Sequence, residues 1–192
     1  MATFLRDTYR RQLERADVDA KISGDRAVGE LDGVSCALAR ISIGAPAAAL
    51  ILEDSIARGV RNVLMVGSAG SLHRNLPIGS TVIVTGAERE DGTSYHSLPA
   101  GEIVSADPEL TATLEECSAT RGARPVRGRS WTIDAPYRET LGAIGRHREA
   151  GVSIVEMEAA AIFAVARVRG VRAALIVAVS DGRCQPEVRC IM

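Results

Sequence analysis

The chain has 192 residues, 46% of them apolar and 24% charged, with a formal net charge of −1. That length supports one sizeable core, and the near-neutral charge argues against a nucleic-acid or anionic-membrane binder, since both carry a basic surplus. Aromatic residues make up only 3%, so the core must be built from Ala, Val, Ile and Leu.

The four cysteines (Cys36, Cys117, Cys184 and Cys190) form no CxxC pair and have no histidine at ligand spacing, so no zinc site is expected. No apolar run approaches the ~18 residues of a membrane-crossing helix. Residues 1–20 are too charged for a signal peptide. These features predict a cytoplasmic protein that engages neither membrane nor nucleic acid.

In chain order, residues 3–20 have helical composition with modest apolar periodicity. Ser23 to Gly33 reads as a loop or hairpin approach, and Val34 to Ile43 alternates as a strand. Gly44-Ala45-Pro46 turns into a helix that Gly59 closes, proline suiting the first helical position. Asn62 to Val66 predicts a short buried strand that stops at a turn, Gly67-Ser68-Ala69-Gly70. Ser80 to Thr85 predicts another strand, followed by a polar loop from Glu88 to Gly101. Asp107-Pro108 predicts an N-cap and first-turn proline, with Leu110, Leu114 and Cys117 on one face of the helix. Pro125 to Ile133 is a strand, Glu139 to Ala150 a weaker helix, and Val152 to Val155 an apolar strand ending abruptly at Glu156-Met157-Glu158. A small-residue helix follows, then the run Ala173 to Val179, which ends at Ser180-Asp181. Strands alternating with helices predict an α/β domain around a largely parallel sheet, with ligands at the carboxyl ends of strands. No repeat or linker divides the chain, so a single domain over residues 1–192 is expected.

Three strand ends carry the chemistry. A strand running into Gly67-Ser68-Ala69-Gly70 exposes N–H groups that can cradle an anion, although the lysine and spacing of a P-loop are missing. Glu158 falls in a first helical turn, where it either serves only the helix or accepts hydrogen bonds from a diol. Asp181, at the end of a buried strand, is either a turn residue or an acid able to hold a proton for transfer.

Taken together, Val66 to Leu72, the loop Asp91-Gly92-Thr93-Ser94-Tyr95-His96, the segment Trp131 to Thr140, Val155 to Ala160 and Val179-Ser180-Asp181 resemble, in order, the purine nucleoside and uridine phosphorylases. That family also includes the methylthioadenosine nucleosidases. The resemblance covers residues 28 to 181 and implies a three-layer α/β/α sandwich around a mixed, partly barrel-like sheet. It implies cleavage of the N-glycosidic bond of a purine nucleoside or uridine, with inorganic phosphate as co-substrate and no cofactor. It assigns Glu158 to the ribose hydroxyls, Met157 to the sugar face and Asp181 to protonation of the leaving base. Glu156, Thr93, Pro136, Tyr137 and Arg138 fall among substrate-binding positions, and Gly44, Gly67 and Ser68 among phosphate-binding ones. Members are oligomers, so a homo-oligomer (dimer, trimer or hexamer) is implied.

The chain also departs from the family pattern. Met65 stands where an arginine pairs with phosphate. Ser42 and Ala47 replace a glycine and a serine of the Gly-x-Gly-x-Pro-Ser loop. The family's first strand, with its Gly-Asp-Pro-x-Arg loop, and its closing helix have no counterpart. An arginine–phosphate contact is worth ~1.5–3 kcal/mol, so impaired phosphate use is expected. A phosphate-independent nucleosidase and a truncated, inactive relative that binds nucleosides or acts as an oligomer partner are the alternative readings.

Overall fold

The computed structural model describes residues 20–23, 26–31 and 33–182. The helix expected over 3–20 lies, apart from Ala20, outside them. The chain divides into two compact units, residues 1–42 and 43–192. In the first, β1 (Ala20–Ser23), β2 (Arg26–Leu31) and β3 (Val34–Ala39) form an antiparallel sheet in the order β1-β2-β3. The hairpin approach read at Ser23 to Gly33 is thus itself mostly strand.

The second unit is a mixed sheet with helices around it. Its strands are β4 (Asn62–Ser71), β5 (Thr81–Glu90), β6 (Val104–Ser105), β7 (Val126–Ile133), β8 (Val152–Glu156) and β9 (Arg172–Gly182). Its helices are α1 (Ala45–Ala57), α2 (Pro108–Thr120), α3 (Leu141–Glu149) and α4 (Ala159–Arg169). The order is β6-β5-β7-β8-β4-β9, and β9 pairs with β5 as well as β4. Five strands, β5, β7, β8, β4 and β9, therefore close into a ring. The long ladders β4–β9 and β5–β7 are parallel, while the antiparallel pairings β4–β8 and β5–β9 join the two parallel groups.

Local chemistry explains the elements. Asp107 caps α2, its carboxylate accepting from the Leu110 N–H at 2.9 Å, and Pro108 follows where no donor is needed. The Thr140 hydroxyl does the same for α3, accepting from the Ala143 N–H at 3.2 Å. Helix α4 buries every residue from Ala159 to Ala166. Its small side chains let it lie against the sheet and against α1, which buries Ala45, Ala48 and Leu52. The core beside β7 and β8 holds Leu72, Trp131, Ile133, Ala143, Ile144, Val152 and Val155. Trp131 is fully buried and stacks on the His147 ring at 4.1 Å between centroids. At Gly128 the neighbouring strand comes too close for a side chain, because a Cβ there would sit 2.6 Å from the Ser153 hydroxyl.

Two expectations need correction. The strand read as ending at Val66 continues to Ser71, so Gly67 to Gly70 is strand and not turn. Each of these residues is paired with β9, from Gly67↔Val177 to Gly70↔Asp181. Small residues there serve the ladder, with a register shift between Ala69 and Gly70. Nor is this strand buried: its outward residues Leu64 and Val66 are 56% and 79% exposed. In α2, the buried residue is Thr111, whose hydroxyl donates to the Asp107 carbonyl at 2.6 Å, whereas Cys117 is exposed.

Candidate active site

The parallel strands β5, β7 and β8 finish at one edge, with Glu90 paired to Ile133 and Thr132 paired to Glu156. Three connections leave from there: the loop after Glu90, the segment after Ile133, and the turn through Met157 to Glu158. The antiparallel direction of β4 against β8 (Gly70↔Val155, Ser71↔Ile154) runs Ala69, Ser68 and Gly67 toward that same end of β8. One row of the sheet reads Trp131, Val155, Gly70, Asp181. This places Asp181 two strands from Val155, roughly 10 Å across the ladder at ~4.8 Å per strand.

Glu158 occupies the N-cap position of α4, yet its side chain makes no bond to its own helix. The carboxylate instead accepts from the Gly44 N–H at 2.6 Å, and burial raises its pKa. Gly44 is the N-cap of α1 and has φ 104°, a left-handed conformation that glycine alone adopts without strain. Its N–H is thereby turned toward Glu158, and α1 begins beside an anion, which its dipole favours.

Glu156 is 6% exposed and is held on both oxygens. The Thr132 hydroxyl donates to one at 2.5 Å, and the N–H groups of Glu158 and Ala159 both donate to the other at 2.7 Å. Thr132 accepts in turn from the Ala160 N–H at 3.0 Å. Burial pushes the Glu156 pKa up to about 7, against these hydrogen bonds, which lower it. Grouped from sequence with the substrate-binding residues, Glu156 in the fold turns inward onto the protein.

The remaining positions fall on the adjoining loops. Thr93 is the half-buried cap of a 3-10 turn, Ser94–His96. Buried Asp91 anchors that turn by accepting from the Ser94 N–H and hydroxyl at 2.6 and 2.7 Å. Arg89 braces the loop, donating to Ser94 Oγ and the Leu98 and Pro99 carbonyls. Pro136, Tyr137 and Arg138 form a second 3-10 turn, with Tyr137 89% exposed. Asp134 links the two loops by accepting from the Gly92 N–H at 2.7 Å.

Asp181 is half-buried in β9, next to Ser180, whose hydroxyl donates to the Ala69 carbonyl at 3.3 Å. Ser68 is exposed and Gly67 half-buried. Met65 is half-buried two residues earlier, its terminal methyl 3.5 Å from where a Cβ on Gly67 would lie. A separate cavity of ≈ 370 Å³, lined by Ile103, Phe163 and Arg167 among others, contains none of these residues.

Sequence reasoning missed Thr132, Asp134 and Asp91. Only Asp91 left a signal, since Asp followed three residues later by Ser favours a side-chain-bonded turn. The pairing of Thr132 with Glu156 depends on two strands lying side by side.

The fold is a mixed α/β sheet in which Glu156 is buried at the end of β8, Glu158 is half-buried just beyond it, and Asp181 is half-buried near the end of the oppositely directed β9. The chain belongs to the Phosphorylase superfamily, which matches residues 7–188. It is 34% identical over 155 residues to a guanosine phosphorylase of Halorubrum lacusprofundi, covering 79% of this chain and 62% of that one. It is 26% identical over 175 residues to a uridine phosphorylase of Haemophilus influenzae, covering 84% and 69%. Identity to the uridine phosphorylase of Escherichia coli is 27% over 173 residues, covering 83% and 68%. The chain thus spans about two thirds of the length of these relatives. Among the described residues, no helix is long and apolar enough to cross a membrane.

Proposed function

We propose that the chain is a nucleoside phosphorylase, a pentosyltransferase that cleaves the N-glycosidic bond of a purine nucleoside or uridine with inorganic phosphate. The observation that carries this reading is Glu158: a carboxylate at a helix start that does not cap its own helix and is anchored by the Gly44 N–H. Such a carboxylate, not spent on its own helix, can accept hydrogen bonds from a diol.

Glycosidic cleavage passes through an oxocarbenium-like sugar. Glu158 accepts hydrogen bonds from the ribose hydroxyls, and Met157 packs on the sugar face. A phosphate oxygen forms the new bond to the anomeric carbon while the bond to the base nitrogen breaks and its electron pair leaves with the base. Asp181 gives that base a proton, which suits a purine. Gly44, Gly67 and Ser68 lie on the phosphate side, and Thr93, Pro136, Tyr137 and Arg138 on the substrate side. Met65 supplies no charge there, so phosphate binds weakly and the enzyme is impaired relative to arginine-bearing relatives. The reading includes a cytoplasmic homo-oligomer (dimer, trimer or hexamer) that needs no cofactor beyond its co-substrate.

The test is a panel of purine nucleosides and uridine, assayed for free base with and without phosphate. Phosphate-dependent release is expected, together with pentose 1-phosphate. A rate indifferent to phosphate would replace the phosphorylase by a nucleosidase.

A further inference from the structure

Helix α4 presents an unusual N-terminus. A residue at the N-cap ordinarily turns its own side chain back onto the first turn. Glu158 does not, and three successive donors, the N–H groups of Glu158, Ala159 and Ala160, are satisfied from elsewhere. Two come from one oxygen of Glu156, and the third from the Thr132 hydroxyl, which is itself bonded to the other Glu156 oxygen. All of these groups are buried or half-buried, so water is a poor substitute.

We infer that Thr132 and Glu156 are positioning residues for the reaction: together they take over the capping of α4, which releases the Glu158 carboxylate from its helix and fixes its backbone against the sugar site. The inference rests on the phosphorylase reading for what Glu158 contacts.

The linkage has a consequence for each partner. Thr132 has two roles, donating to Glu156 and accepting from Ala160, and only a hydroxyl fills both. Valine has the same shape and fills neither. With Thr132→Val, Glu156 loses one partner, the Ala160 N–H is orphaned, and the first turn of α4 shifts. A side chain at the N-cap ordinarily accepts from the second or third N–H of its helix, so the Glu158 carboxylate is drawn back as an ordinary cap and leaves Gly44. A displacement of about 1 Å at such a group costs on the order of 10²-fold in rate.

The experiment compares wild type, Thr132→Val and Thr132→Ser, with kcat and KM measured per folded molecule and amide exchange followed at Glu158, Ala159 and Ala160. Thr132→Val should lose ~10²-fold in kcat, with a smaller change in the KM for phosphate. Thr132→Ser, which keeps the hydroxyl, should restore kcat to within about threefold, well short of the loss a misplaced group causes. The three amides should lose protection in the valine variant and regain it in the serine variant. If Thr132→Val turned over at the wild-type kcat while the wild type was active, the positioning role would be overturned and the phosphorylase reading left standing. If the loss disappeared on correction for the folded fraction, the residue would be structural only, which also overturns it. Wild-type silence across the whole nucleoside panel would instead overturn the functional reading, and this inference with it.

Discussion

Replacing Glu156 by glutamine should remove one specific pH dependence of stability. In the folded protein, burial raises the Glu156 pKa from its ordinary value of 4.5 to about 7. The folded state therefore keeps a proton that the unfolded chain has already released. Stability falls wherever the folded state binds more protons than the unfolded one. The loss begins near the unfolded value, continues as pH rises toward about 7, and is complete above it. At ~1.36 kcal/mol per pKa unit, the full penalty is about 3 kcal/mol, of which about 2.5 kcal/mol falls between roughly pH 5 and pH 8. Glutamine does not titrate, so this slope should vanish in Glu156→Gln.

The measurement is urea unfolding of both proteins near pH 5 and near pH 8. Taking the difference of differences cancels the groups they share. With an m-value of about 2 kcal/mol/M, the variant should gain a little over ~1 M in midpoint at the higher pH relative to the lower. Equal pH slopes for the two proteins would refute the reasoning, because Glu156 would then be no less content to ionise in the fold than in the unfolded chain.

Three other outcomes are expected. On the proposed reading, Glu158→Ala removes charge-assisted hydrogen bonds to two ribose hydroxyls, at ~1.5–3 kcal/mol each, so kcat/KM should fall by about 10² to 10⁴-fold; a change below tenfold in the base-release assay would sink that assignment. Met65→Arg places a guanidinium beside Gly67 and should lower the KM for phosphate by about tenfold or more, which steady-state phosphate titration would show. Gly128→Ala forces a methyl against the Ser153 hydroxyl and Cβ at 2.6 and 2.8 Å; overpacking of this kind costs ~1–3 kcal/mol, and thermal unfolding should detect a drop of several degrees.

What could be read in advance followed a physical rule. Caps and strand periods are local, so Asp107-Pro108, the alternation of strands and helices, and the acids ending β8 were legible from neighbouring residues. The resemblance added the roles proposed for Glu158 and Asp181, whose immediate motifs are continuous in sequence. What lay hidden depended on partners distant along the chain. Gly67 to Gly70 has the composition of a turn, and its pairing with β9, joined at Gly70 by β8, makes it strand. Glu156 looks like a second binding carboxylate until Thr132, 24 residues earlier, is seen to hold it inward. The Gly44–Glu158 bond spans 114 residues and has no sequence signature of its own.

The ring closes through β9, the last described strand, whose residues Leu175 to Ala178 pair with Val84 to Thr81 on one side and with Met65 to Ser68 on the other. During synthesis, β4 and β5 therefore emerge long before the strand that joins them. Until β9 arrives, each presents an open edge of unpaired backbone, with Leu64 and Val66 alongside, and such edges invite pairing with other chains. Yield in cells should accordingly respond to translation speed and to chaperones that shield nascent strands. Substitutions that weaken β9 should show first as aggregation and only later as lost activity.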